Sequence, residues 1–245
     1  METKTHDYVY ENVSHIENAE ASRRFIANVF MWMFVALGVS CAASYIFAFI
    51  PELSSLLRDN ETGKSNLLGF AVMFAPLVIV MAVGSRVQKI SYGALIAIFI
   101  VFAALMGTSL SYIFYQYNLD VIGTVFITTA VVFGVMAVGG YITHQDLTKF
   151  GALLLMLLFG IIIATVINVI FIHSSAFDLM ISYVGAAIFI GLTAYDVQKL
   201  KRIGAGIEYG DVSGKKMAIM GALTLYLDFV NLFLFLLRIF GGNRK

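Results

Sequence analysis

Long uncharged apolar runs alternate with short polar stretches along the whole chain, at a spacing that a lipid bilayer imposes. A hydrocarbon core about 30 Å thick takes roughly 20 apolar residues as a helix, and a helix satisfies its own backbone groups where no water is present. Seven such runs occur, over residues 25–50, 67–84, 92–115, 121–141, 150–172, 179–203 and 217–240. Each is expected to be a transmembrane helix, so the expected fold is an all-α polytopic membrane protein. The first five runs hold no Asp, Glu, Lys or Arg. The sixth meets Asp196 and then Lys199, Lys201 and Arg202, and the seventh contains Asp228.

Composition agrees: 60% of the 245 residues are hydrophobic and 13% charged, against roughly 25% charged in a soluble domain. Residues 1–24 mix acids and bases ahead of a run too long for a secretion-signal core, so they are expected to be a solvated polar tail. Residues 25–240 form a single transmembrane domain and 241–245 a short C-terminal tail. Lys and Arg outside the helix centres number eleven on the side of the N-terminus and five on the other, which predicts a cytoplasmic N-terminus and an outside C-terminus. A net charge of +1 without a basic stripe argues against a nucleic-acid partner, and the single Cys41 excludes an intramolecular disulfide. Gly160 and Ala164, four residues apart, would permit a close helix crossing.

An ionised carboxylate at the bilayer centre costs roughly 2.5 to 3.5 kcal/mol even on lenient insertion scales, so Asp196 and Asp228 are expected to face a cavity, a partner or a proton. With the sixth helix ending at Gly204, Asp196 lies eight residues before the turn and Asp228 twelve after Lys216. At 1.5 Å per residue these are depths of about 12 and about 18 Å, a mismatch that helix tilt absorbs. If the two meet, like charges in a poorly hydrated site share one proton and titrate as a pair. A cation replacing that proton would be a hard one held by oxygens. Thr193, Tyr195, Tyr226 and Asn231 are the supporting polar side chains nearby; calcium takes 6 to 8 oxygens and would find fewer here, so binding of such a cation would be weak, transient and partly hydrated. No cofactor is expected.

The segment Gly191-Leu192-Thr193-Ala194-Tyr195-Asp196-Val197-Gln198-Lys199, followed by Leu225-Tyr226-Leu227-Asp228-Phe229-Val230-Asn231-Leu232-Phe233, resembles the signature of the Bax inhibitor-1 family. The resemblance spans all seven helices and is sharp in the last two. It implies a fold with the seventh helix central and wrapped by the other six, a bacterial-type member in the inner (plasma) membrane, and a pH-sensitive calcium leak with Asp196 and Asp228 as sensor and ion pathway. It also implies a latch arginine near the end of the second helix, which by position is Arg86. The loop with Glu208, Tyr209 and Asp211 is longer than the family's usual turn.

Two other classes remain open. A non-conducting regulator would bind a membrane protease or a stress-response partner and use the same fold. An intramembrane aspartyl protease would use both aspartates on a water, but its second motif needs Gly-x-Gly before the aspartate, and Leu225-Tyr226-Leu227 stand there. The chain is therefore not expected to be an enzyme. His6, His15, His144 and His173 lack metal-ligand spacing, and Gly-Lys-Ser at Gly63 lacks the earlier glycine of a phosphate loop.

Overall fold

A computed structural model describes residues 3–59, 64–84, 86–207 and 211–242, with side chains from residue 19 onward. It is built of helices: α1 (Thr3–Phe49), α2 (Pro51–Leu57), α3 (Leu67–Gly84), α4 (Tyr92–Leu110), α5 (Ile113–Gln116), α6 (Leu119–Ile142), α7 (Thr148–Ile167, continued by a π-helical turn at Asn168–Ile172), α8 (Ser175–Ala205) and α9 (Val212–Phe240). Seven are long and apolar enough to cross a membrane, as the seven runs predicted. Among the described residues there is no strand beyond one antiparallel bridge between Arg58 and Ser65.

Several helices extend past the apolar runs because polar residues are useful at helix ends. Asp120 and Asp178 stand in the first turns of α6 and α8, where a carboxylate complements the helix dipole. Asn66 caps α3 through its Oδ1, which accepts from Gly69 N at 2.9 Å, and Ser174 caps α8 by accepting from Phe177 N. The end of α8 follows the glycine signal, with Ala205 last and Gly206 at the cap. Helix α1 begins at Thr3, so the polar start of the chain is helical in its backbone.

Burial orders the bundle. Helix α9 is the central element, with 61% of its apolar window buried, and it packs directly on α1, α4, α6 and α8. Helices α3 and α7, each 11% buried, form an outer layer on α4 and α8 respectively. Their large exposed side chains, such as Met81 and Phe159, would be an aggregation hazard in water and are ordinary against lipid.

Two close approaches and one repaired defect hold the layers. A Cβ at Gly107 would overlap the Ser40 carbonyl, and one at Gly140 would overlap that of Ala194, so α4 meets α1 and α6 meets α8 at backbone contact. The close crossing expected at Gly160 and Ala164 is absent, because Gly160 is exposed with nothing near it, although Ala164 packs half-buried against the core. Pro76 sits inside α3 and has no N–H to give the Val72 carbonyl. Ser109 Oγ on α4 donates to that carbonyl at 2.9 Å instead.

Adding a methyl at Gly140 should therefore push α6 from α8 and lower stability by about 1 to 3 kcal/mol, whereas Gly160→Ala should stay within about 0.5 kcal/mol. Thermal unfolding in detergent checks both, and equal midpoints would show that the Gly140 crossing is not tight.

Candidate functional site

Helices α8 and α9 run antiparallel as direct neighbours, and they bring Asp196 and Asp228 together. Both are buried, at 9% and 5% exposure. The two carboxyls lie within direct reach of each other, so that a proton on either one would join them by a hydrogen bond. Asp228 Oδ2 is buried without a hydrogen-bond partner, the one such side-chain atom among the described residues. An orphaned carboxyl oxygen inside a bilayer protein is costly, so it marks a place where a proton or a cation has something to gain.

The polar neighbours named from the sequence do not complete a cage. Thr193 Oγ1 donates to Phe189 O at 2.8 Å, and Asn231 Nδ2 to Leu227 O at 2.8 Å, each within its own helix. Tyr226 is fully buried, but its hydroxyl pairs with Ser40 Oγ at 2.7 Å, and Ser40 donates on to Ala103 O. The Tyr195 ring lies against Gly151 on α7. Arg86 occupies the turn after α3, exposed, and among the described residues no ion pair joins it to either aspartate. No cluster of three or more His, Cys, Asp or Glu among the described residues could hold a metal ion. Cys41 faces outward on α1, and His144 lies exposed in the α6–α7 connection. His173 has a left-handed backbone at φ 54°, just after the π-helical turn. Glu208, Tyr209 and Gly63 lie outside the described residues, as do the side chains of His6 and His15.

A second polar group, unremarked in the sequence, lies two residues beyond Asp196 on α8, toward the end of the bundle where α8 stops and α9 starts. Gln198 is buried and reaches the α6–α7 connection, with Nε2 donating to Gln145 O at 2.7 Å and Oε1 accepting from Leu147 N at 2.9 Å. Arg202 adds bonds from Nη2 to Asp146 Oδ1 at 2.7 Å and from Nη1 to Thr148 Oγ1 at 3.0 Å. Lys201 Nζ donates to Tyr141 O at 2.8 Å, closing the end of α6. The available signal was an uncharged amide inside a span, which must find partners there. Thr148 and then Arg202 hold the Asp146 carboxyl well below the usual aspartate range.

Residues 22–245 match the model of the family described as inhibitor of apoptosis-promoting Bax1. The chain is 41% identical over 221 residues to the inner membrane protein YbhL of Escherichia coli, covering 90% of this chain and 92% of that protein. It is 37% identical over 227 residues to an uncharacterized protein of Borreliella burgdorferi, covering 91% and 93%. A Rickettsia prowazekii relative is 37% identical over 226 residues, covering 92% of each chain.

The lowered Asp146 carboxyl predicts an acid-resistant contact. A group whose folded value is depressed adds stability above its unfolded value, and loses it only as pH falls through the folded one. Asp146 should thus stay ionised near pH 3.9, where a free aspartate is about half protonated. Titration of its ¹³Cγ resonance checks this, and Thr148→Val should return the midpoint toward the ordinary value.

Proposed function

We propose the following for this chain, which belongs to the Bax inhibitor-1 family of integral membrane proteins. It is a pH-sensitive calcium leak of the inner membrane, with Asp196 and Asp228 as a proton-sharing sensor on the ion pathway. One observation carries the reading: two carboxyls buried within reach of each other between adjacent spans, with Asp228 Oδ2 left unpartnered.

The chemistry follows from the poor hydration of that site. With one proton the pair is a hydrogen bond that ties α8 to α9. Without it, two like charges in a low-dielectric interior repel and must separate or admit a cation. Two carboxylates offer at most four oxygens, short of the 6 to 8 that calcium takes, so the ion keeps water and passes on. Calcium is the cargo, the leak is non-catalytic, and no cofactor takes part. The excess of Lys and Arg at the N-terminal side supports a cytoplasmic N-terminus and an outside C-terminus. Arg86, in the turn at the cytoplasmic end of α3, serves as a latch when it swings toward Asp196.

Calcium entry into protein-only liposomes, followed across pH, tests the proposal. Asp196→Asn and Asp228→Asn should each abolish the pH-dependent part of entry, while Asp211→Asn, at the exposed start of α9, should leave it intact. Arg86→Ala should raise the basal leak. Unaltered profiles in both buried-aspartate variants would defeat the sensor. Absence of flux at every pH would favour a non-conducting regulator of a membrane partner. Cleavage of an added membrane substrate that depends on Asp228 would favour the protease reading.

A further inference from the structure

At the end of the bundle where the apolar run of α1 begins, a cavity of about 510 Å³ opens between α1 and the α8–α9 connection. Its size falls within the roughly 300 to 1,000 Å³ of ordinary small-molecule sites. Packing fixes its walls. Ser22 Oγ of α1 donates to Lys201 O of α8 at 2.9 Å. Phe25 closes on Gly204 and Ile207 on Gly214, each so near that a Cβ at the glycine would meet it. Neither Asp196 nor Asp228 lines the cavity.

The polar groups around it carry both signs. Arg24 and Asn28 stand four residues apart on one face of α1, and Arg24 is paired with Glu20 one turn before it. Across the cavity Asp211 and Lys215 are also four residues apart, a spacing at which opposite charges on a helix commonly pair. Among the described residues no ion pair joins them. Asp211 holds the cap position of α9, yet its carboxylate makes no capping bond. The rest of the lining is apolar, and the exposed side chains of Met31, Phe34 and Val35 continue it along α1 into the span.

We propose that this cavity binds a membrane phospholipid whose headgroup carries a primary amine: Lys215 and Arg24 take the phosphate, Asp211 takes the ammonium, and an acyl chain lies along Met31 and Phe34. Charge complementarity selects this occupant. Glu20 offsets Arg24 and Asp211 offsets Lys215, so a headgroup of net negative charge gains little, whereas a zwitterion meets an opposite charge at each end. A primary ammonium donates hydrogen bonds to a carboxylate, which a quaternary one cannot do. A soluble phosphate ester would leave the apolar half of the site unused.

Native mass spectrometry of the full chain, released from detergent after titration with lipids of identical acyl chains, reads the site. Phosphatidylethanolamine should bind at least about threefold more tightly than phosphatidylcholine or phosphatidylglycerol, the margin of a charge-assisted hydrogen bond at an exposed site. Lys215→Gln should weaken phosphatidylethanolamine about fivefold, as expected for one cation beside a membrane phosphate. Asp211→Asn should remove the preference over phosphatidylcholine. Equal binding of the three lipids would mark ordinary boundary lipid, and tighter phosphatidylglycerol would mark a simple basic patch; either overturns the proposal. Competition by glycerophosphoethanolamine, which has the headgroup and no acyl chain, would show a soluble ligand and overturn it too. If a variant does not fold, the wild-type protein decides. Phosphatidylethanolamine carrying a photoreactive headgroup should label residues 24–31 or 211–215, and labelling confined to other lipid-facing helices would overturn the assignment. No readout involves calcium, so the leak and this site stand or fall separately.

Discussion

The organisation of this bundle depends on the exclusion of water from the level at which two carboxyls stand. In water Asp196 and Asp228 would ionise separately and need no partner. Inside a bilayer protein each can be tolerated only by what lies opposite it, and what lies opposite is the other. Helix α9 is the most buried span because it must present Asp228 away from lipid. Helix α8, second in burial, is pinned on its far side to α6 and to residues 145–148, which fixes the other half of the pair. Helices α3 and α7 carry no such obligation and are left largely to lipid.

The same exclusion governs the smaller polar groups. Val72, deprived of its helical donor by Pro76, is served by Ser109 from the next helix. Tyr226 brings a hydroxyl to the middle of the central helix, and Ser40 Oγ pairs with it while donating its own hydroxyl hydrogen to Ala103 O. Each is a local defect in one helix repaired by a neighbour, so each also fixes the rotation of two helices about their axes. Asp228 Oδ2 is left out of this accounting. An unsatisfied atom in an otherwise satisfied interior is where a fold holds strain for use.

Family membership shows the fold and the membrane setting; calcium, the cargo of the proposed leak, is what the family resemblance implies, and the oxygen donors of the site suit a hard cation. Oxygen-only donors select a hard cation, and too few of them select one that keeps its water. The hydroxyls and the amide that might have enlarged the donor set are turned to their own helices or to α1, so the pair acts alone. That leaves its response governed by the distance between two helices, which is a mechanical quantity and therefore one that loops can tune.

Much of this was legible along the chain. Seven long apolar runs determined seven spans, because backbone groups in lipid admit little but helix, and two aspartates in the last runs singled out their helices. Gly204 and Gly206 located the end of α8, since the glycine signal acts locally. Properties that depend on which helix faces which were not legible. Gly160 looked like a crossing and faces nothing, while Gly107 and Gly140 are the crossings, because a small residue is informative only once its neighbour is known. Thr193, Tyr226 and Asn231 sat at promising spacing, yet their hydrogen bonds go elsewhere. Gln198 sat two residues from Asp196 with its partners some fifty positions away. The sequence by itself determined the spans, their number and the acids they carry, because those follow from local solvation. Only the tertiary structure decided which polar groups meet, because that follows from the rotation and depth of each helix against its neighbours.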